Sequence, residues 1–286
     1  MPESIQATGR AYTARLDVYG LRVGVRTTIP GVLGELSDHL PVGWKTLASG
    51  RIDRWYTLRD RNAGLGESPP LYILEQDRLR LAESATLSGV WPIFAYDLEL
   101  YLVERSPDYV FLHAGVVAWR GRAILVPGRS FSGKSTLVAA LCQAGAAYYS
   151  DEYALLDGQG RVHAYPRPLR LRQALSDVSA PPEVETDRSS EREPLAVGTV
   201  VVTRYEPGAV WQPTPLSPGE AVLELLPHAL SVQRQPQVVL AALRQALAHG
   251  RTVRGSRGEA KDTAERLLRW ASAGGRRTPE GSIRGT

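Results

Sequence analysis

The chain has 286 residues, 43% of them hydrophobic, enough to bury a core in one large domain or two smaller ones. Its 34 Lys and Arg against 30 Asp and Glu give a formal net charge of +4, and a single cysteine, Cys142, excludes an internal disulfide. No apolar run reaches the roughly eighteen residues of a membrane-spanning helix.

The opening Met1-Pro2-Glu3-Ser4-Ile5-Gln6 lacks a basic start followed by an apolar run, so no secretion signal is expected and a cytoplasmic protein is. Ala14, Leu16 and Val18 alternate with polar neighbours, as do Leu21, Val23 and Val25, which predicts two strands joined at Tyr19-Gly20. Val32, Leu33, Leu36 and Leu40 have helical spacing, ended by Pro41. Strands are expected at 51–58, 71–74 and near 79–81, and a longer helix over 89–104. Gly64, Gly66, Pro69 and Pro70 mark the loop between the first two of these strands. Residues 1–105 thus read as a small N-terminal α+β domain with no recognisable chemistry.

The texture changes at Tyr109. Residues 110–119 read as a strand, Arg120-Gly121 as a tight turn, and Ala123-Ile124-Leu125-Val126 as a short buried strand. Thr136 to Leu141 predicts a helix capped by Gly145, with Cys142 a small core residue. Ala147-Tyr148-Tyr149 is a strand ending at Asp151-Glu152, and further strands follow at 153–156 and 161–164 around a turn at Asp157-Gly158. Residues 181–194 form a polar, proline-rich loop, and Val200-Val201-Val202 is a buried strand. Ser217-Pro218-Gly219-Glu220 is a capping box opening a helix to Leu225, and two more helices are expected from Pro236 to Gly250 and over 259–271. Residues 106–271 are read as one α/β domain and 272–286 as a disordered basic tail. From Arg251 onward nine Lys and Arg meet four Asp and Glu, so residues 1–250 are close to neutral. No nucleic-acid-binding module accompanies this basic end, and a nucleic-acid partner is not expected.

Between the strand at 123–126 and the following helix stands Gly128-Arg129-Ser130-Phe131-Ser132-Gly133-Lys134-Ser135, followed by Thr136. It fits G-x-x-x-x-G-K-[ST], the phosphate-cradling Walker A loop. In this loop backbone amides close around an anion, the lysine reaches the outer phosphates, and the serine hydroxyl binds Mg²⁺. Strand, loop and helix in this order aim a helix N-terminus at a phosphate. Only three lysines occur, Lys45, Lys134 and Lys261, in a chain that otherwise writes positive charge as arginine. A lysine in the loop suits a need for a compact ammonium.

Phosphoryl transfer also needs a metal ligand and a group that orients or deprotonates the nucleophile. Asp151 and Glu152 are the candidates, at the end of the first strand after the loop's helix and 17 residues past Lys134. Adjacent carboxylates at a strand end point oppositely, so one can face the phosphate and the other the metal. His113, in the strand before the loop's own, has apolar neighbours. His39, His163, His228 and His249 have no company that suggests metal or acid–base work.

Phe111-Leu112-His113-Ala114-Gly115-Val116-Val117, then Leu125 to Leu137, then Ser150-Asp151-Glu152, in that order, resemble the catalytic domain of the HPr kinase/phosphorylase family and its diverse kinase relatives. The resemblance is strong over about 109–172 and weaker to about 270. It implies a P-loop kinase fold of the HPr kinase/phosphoenolpyruvate carboxykinase type, with ATP and Mg²⁺ as cofactors. It implies that Lys134 neutralises the β- and γ-phosphates, that Ser135 and Glu152 bind the metal, that Asp151 is the base taking a proton from a serine hydroxyl, and that His113 is the family's strand histidine near the phosphate. The family's second acid is usually Asp rather than Glu152, and Phe131 replaces a glycine usual in the loop. The family's Glu-Val-Arg-Gly signature is missing, and Tyr165-Pro166-Arg167-Pro168-Leu169-Arg170-Leu171-Arg172 stands in its place. Its arginines hold phosphate or an acidic substrate, or are strand surface charge. HPr itself is therefore not the expected acceptor.

The expected activity is an ATP-dependent kinase acting on a serine-type hydroxyl of a protein, peptide or small metabolite, assembling as a homo-oligomer as related kinases do. Two alternatives stay open: an ATP-binding regulatory or accessory protein with little or no transfer, and another P-loop reaction such as ATP hydrolysis.

Overall fold

Seven strands and one long helix build the first part of the computed structural model, which describes residues 6–8, 11–64, 68–129, 132–166 and 192–273. They are β1 (Gln6–Thr8), β2 (Ala11–Val18), β3 (Leu21–Thr27), β4 (Lys45–Thr46), β5 (Arg54–Asp60), β6 (Tyr72–Gln76) and β7 (Leu79–Ser84), followed by α1 (Leu87–Arg105). Tyr19 and Gly20 both take positive φ, 54° and 81°, the two-residue turn that matches the twist of a hairpin. The sheet runs β1-β2-β3-β5-β6-β7, with β4 beside β2. Its core includes Leu16, Val23, Tyr56, Leu58, Ile73, Phe94, Leu98 and Leu102. The Tyr56 hydroxyl reaches Asp97 at 2.7 Å, and Arg54 pairs with the same carboxylate at 3.0 Å, which ties α1 to β5.

Two expectations in this part differ. The helix expected over 32–40 is two 3₁₀ turns, Val32–Gly34 and Leu36–His39. Gly31, in the left-handed conformation, precedes the run and Gly34 interrupts it, leaving pieces too short for α-helix. The two short strands β1 and β4 were not anticipated, being too brief to show a period.

The remainder carries a second sheet. Its elements are β8 (Tyr109–Trp119), β9 (Arg122–Pro127), α2 (Lys134–Gln143), β10 (Ala147–Ser150), β11 (Tyr153–Asp157), β12 (Arg161–His163), β13 (Leu195–Tyr205), β14 (Thr214–Pro215), α3 (Pro218–Leu225), α4 (Pro236–Leu247), β15 (Arg251–Arg257) and α5 (Ala260–Ala273). β9 pairs antiparallel with β8 and parallel with β13, and β13 pairs parallel with β15. Side chains alternate between the two faces. Val116, Leu125 and Val200 share one core with Leu225, Val239 and Leu243 of α3 and α4. Val117, Ile124 and Val201 share another with Leu137, Leu141, Leu267 and Leu268 of α2 and α5. Helices on both faces of a partly parallel sheet make this a layered α/β unit. The chain as a whole is mixed α/β, with two sheets and five α-helices among the described residues.

The chain divides into two compact units, Met1–Tyr109 and Val110–Thr286. β13 is far longer than the three buried valines expected, and β14 and β15 were not anticipated. α4 stops at Leu247 rather than Gly250, and α5 runs through Ala273, so the first residues of the expected tail are helical. The rest of that tail, most of the loop at 181–194, the arginines Arg167, Arg170 and Arg172, and Ser130 and Phe131 of the phosphate loop lie outside the described residues. No helix among the described residues is long and apolar enough to cross a membrane.

Candidate phosphate-loop site

Hairpin register brings the first two site residues together. Ala114 faces Pro127 across β8 and β9, so the Gly128 amide that opens the loop donates to the His113 carbonyl at 3.3 Å. Arg120 and Gly121, both at positive φ, make the turn that sets this register. On the other side of β8, β10 pairs antiparallel with it, and Ala114 N donates to Glu152 O at 3.2 Å. The acids at the end of β10 and the glycine at the end of β9 therefore flank one histidine.

Gly133 caps α2 in the left-handed conformation, φ 80°, which aims the N-terminal amides of the helix along the loop. Gly115 lets α2 approach β8: a Cβ there would lie 2.5 Å from Val138 Cγ2. Arg257, at the end of β15, donates from Nη2 to Gly133 O at 3.1 Å and Ser132 O at 3.4 Å. It clamps the loop at its last two residues before α2. Sequence reading missed Arg257, because β15 reads Arg-Thr-Val-Arg-Gly-Ser-Arg and shows little apolar alternation.

Lys134 is 7% exposed. Its Nζ donates to Arg129 O at 2.9 Å and lies 3.3 Å from His113 Nε2. Burial pulls its pKa below the ordinary lysine value, against the opposing charges of Glu152 and Asp151. His113 Nε2 also stands 3.3 Å from Glu152 Oε1. Asp151, likewise 7% exposed, accepts from the Tyr148 hydroxyl at 2.8 Å and is hydrogen-bonded to the Ser135 side chain. Burial pushes its carboxyl pKa up, the Tyr148 and Ser135 hydrogen bonds hold it back, and the Glu152 charge adds to the rise. Lys134, Ser135, His113, Asp151 and Glu152, separated by up to 39 positions in sequence, thus form one connected cluster. Gly128, Arg129, Ser132, Gly133 and Thr136 lie along the same loop and helix start.

The sequence matches no protein-family model, and no curated protein matches it significantly. The reading of this site rests on its geometry.

One further residue joins the cluster. His228 ends the 3₁₀ turn Leu226–His228, and an antiparallel bridge between Leu112 and Ala229 carries that segment along β8. Leu230 N donates to Phe111 O at 3.0 Å in the same register, which puts His228 across from His113. Burial lowers the His228 pKa, and the positive charges of His113, Lys134 and Arg129 lower it further, against Glu224. Nothing in the local sequence marks His228; a bridge to a strand more than a hundred residues earlier places it.

The arrangement suits an anion. A helix N-terminus, an ammonium and two imidazoles neighbour two carboxylates. Among the described residues no group of three His, Cys, Asp or Glu side chains could hold a metal by itself. The donors present are instead one hydroxyl and two carboxylates beside a phosphate loop. Such hard oxygen ligands suit Mg²⁺, which commonly takes one or two carboxylates and shares the rest of its shell with phosphates and water.

Proposed function

We propose that the protein is an ATP-dependent kinase of the HPr-kinase-like P-loop type, transferring the γ-phosphate to a serine-type hydroxyl. The observation that carries this reading is the joining of the loop lysine to the strand-end acids through His113.

In this reading the loop amides, Lys134 and the start of α2 hold the phosphate chain. Ser135 and Glu152 would hold Mg²⁺, which would supply charge neutralisation to the phosphate chain. Asp151 takes the acceptor's proton while the acceptor oxygen forms a new bond to the γ-phosphorus. The bond from that phosphorus to the bridging oxygen breaks, and ADP leaves with the electron pair. A carboxyl with a raised pKa is a better base near neutral pH, and general-base help is worth roughly 10²–10⁴ in rate. His113, paired with Glu152, orients that carboxylate and lies where its imidazole can hydrogen-bond the transferring group. The acceptor, a hydroxyl on a peptide, protein or metabolite, would approach beside His113 and His228.

The test is incubation of the purified chain with Mg²⁺, γ-labelled ATP and a panel of hydroxyl-bearing peptides and metabolites, read by mass spectrometry. Phosphorylated product that disappears in Lys134→Ala supports the reading. Tight ATP binding without product from any acceptor would assign the chain to an accessory, nucleotide-sensing role. Failure to bind ATP at all overturns both.

A further inference from the structure

The far side of the phosphate loop holds a second feature. A cavity of about 240 Å³ opens beside Ser132, Gly133 and Thr136 and is bounded by Tyr205, Arg257 and Glu259. It sits at the C-terminal ends of the parallel neighbours β13 and β15, the end of an α/β sheet where ligands gather. At this volume it falls below the roughly 300 Å³ at which pockets enclose a whole ligand, so it takes one moiety of a larger molecule.

Its walls are built rather than incidental. Arg257 is 3% exposed, yet its Nε has no hydrogen-bond partner. Its Nη atoms are spent on the Ser132, Gly133 and Gly258 carbonyls, so the guanidinium shapes the loop. Tyr205, 44% exposed, offers a ring whose centroid lies 5.3 Å from the Arg257 guanidinium carbon. Its hydroxyl donates to Glu259 Oε1 at 2.9 Å, which holds the ring and the carboxylate in one wall.

We propose that this cavity is a nucleoside subsite, in which the Tyr205 ring packs against the base and Glu259 accepts hydrogen bonds from the ribose hydroxyls. This rests on the reading of the loop as a nucleoside triphosphate site. It gives the bound nucleotide a direction. The nucleoside lies at β13 and β15, the phosphates cross the start of α2 past Thr136, and the terminal phosphate points toward Lys134 and His113. A planar ring suits stacking with any base, and a carboxylate suits vicinal hydroxyls, so a ribonucleotide is favoured over its dideoxy analogue.

Calorimetric titration of the full chain with Mg²⁺ and three probes tests it: ATP, inorganic tripolyphosphate and 2′,3′-dideoxy-ATP. Tyr205→Ala is expected to weaken ATP roughly 10-fold while leaving tripolyphosphate unchanged. Tyr205→Phe keeps the ring and retains ATP affinity, which separates stacking from a loss of fold. Glu259→Gln is expected to erase the preference for ATP over the dideoxy analogue. ATP affinity unmoved by Tyr205→Ala, or ATP and tripolyphosphate falling together, overturns the subsite. In that case the loop reading survives if Lys134→Ala still abolishes binding of both. Wild-type protein that binds neither ATP nor tripolyphosphate overturns the loop reading and the subsite with it.

Discussion

His113 Nε2 stands 3.3 Å from Lys134 Nζ, and the same nitrogen stands 3.3 Å from Glu152 Oε1. A neutral imidazole carries either a proton or a lone pair at that atom. It therefore accepts from Lys134 or donates to Glu152, one at a time. The histidine is a switch point between the buried Lys134 ammonium and the acid pair.

This relationship separates the roles of the two acids. Asp151→Asn is expected to lower phosphoryl transfer by roughly 10²–10⁴ while ATP affinity stays within a few-fold. Glu152→Gln keeps the size of the side chain but removes the charge facing His113, and a smaller loss, on the order of 10-fold, is expected. Single-turnover rates of both variants check this. Transfer at the wild-type rate in Asp151→Asn would remove it from the role of base.

Gly133 is where the loop tolerates least. An added Cβ would lie 2.3 Å from Arg257 Nη2, and φ is 80°. Gly133→Ala meets a left-handed backbone cost of about 1–2 kcal/mol and displaces the Arg257 clamp. A lower Tm and loss of ATP binding are expected. Gly158→Ala is the control, since nothing lies within 4 Å of a Cβ there. Equal melting temperatures for the two variants would contradict the role given to the clamp.

His228 titrates under the influence of its neighbours. Its folded pKa lies below the ordinary histidine value through burial and the charges of His113, Lys134 and Arg129, with Glu224 opposing. The unfolded chain therefore binds more protons here, so its contribution to stability is intact above about pH 6.5 and is lost as pH falls below that value. Proton NMR of the His228 ring should show a midpoint below that of an exposed histidine. Lys134→Ala should move it upward; a midpoint that does not move would place Lys134 too far away to matter.

Asp157 makes the opposite case. Burial raises its pKa, but hydrogen bonds from His163 and the Arg161 and Gln159 amides outweigh this and leave it lowered. Both amides lie 2.9 Å from Oδ1, and His163 Nε2 lies 3.0 Å from Oδ2. A depressed carboxylate stabilises the fold above its unfolded pKa of about 3.9 and loses that contribution as pH falls through the folded value. Asp157→Ala is expected to cost about 1 kcal/mol near neutral pH, after discounting for partial exposure. Urea denaturation at pH 7 and pH 3 should show the difference shrinking at the lower pH.

Much of the second unit was legible in its chain. The apolar runs at 110–119 and 123–126, the Arg120-Gly121 turn and the capping box at Ser217 all appear where local chemistry puts them. The capping box closes both ways, Ser217 N donating to Glu220 Oε2 at 2.8 Å. Helical spacing at 32–40 misled, because Gly34 breaks a pattern that counts only apolar positions. β15 was invisible because both its edges are covered by long-range pairing, with β13 and β14, rather than by its own pattern.

The sequence by itself determined where the glycine-rich loop motif stands, because Gly128 to Ser135 is contiguous and lies between an apolar strand and a helix. It also placed His113 one hairpin before the loop and Asp151-Glu152 one strand after. Only the tertiary structure decided which side chains complete the site. His228 arrives through a bridge to β8, and Arg257, Tyr205 and Glu259 arrive through a strand parallel to β13. Cross-strand neighbours are set by register and crossover, which link residues far apart in the chain and leave no local period to read.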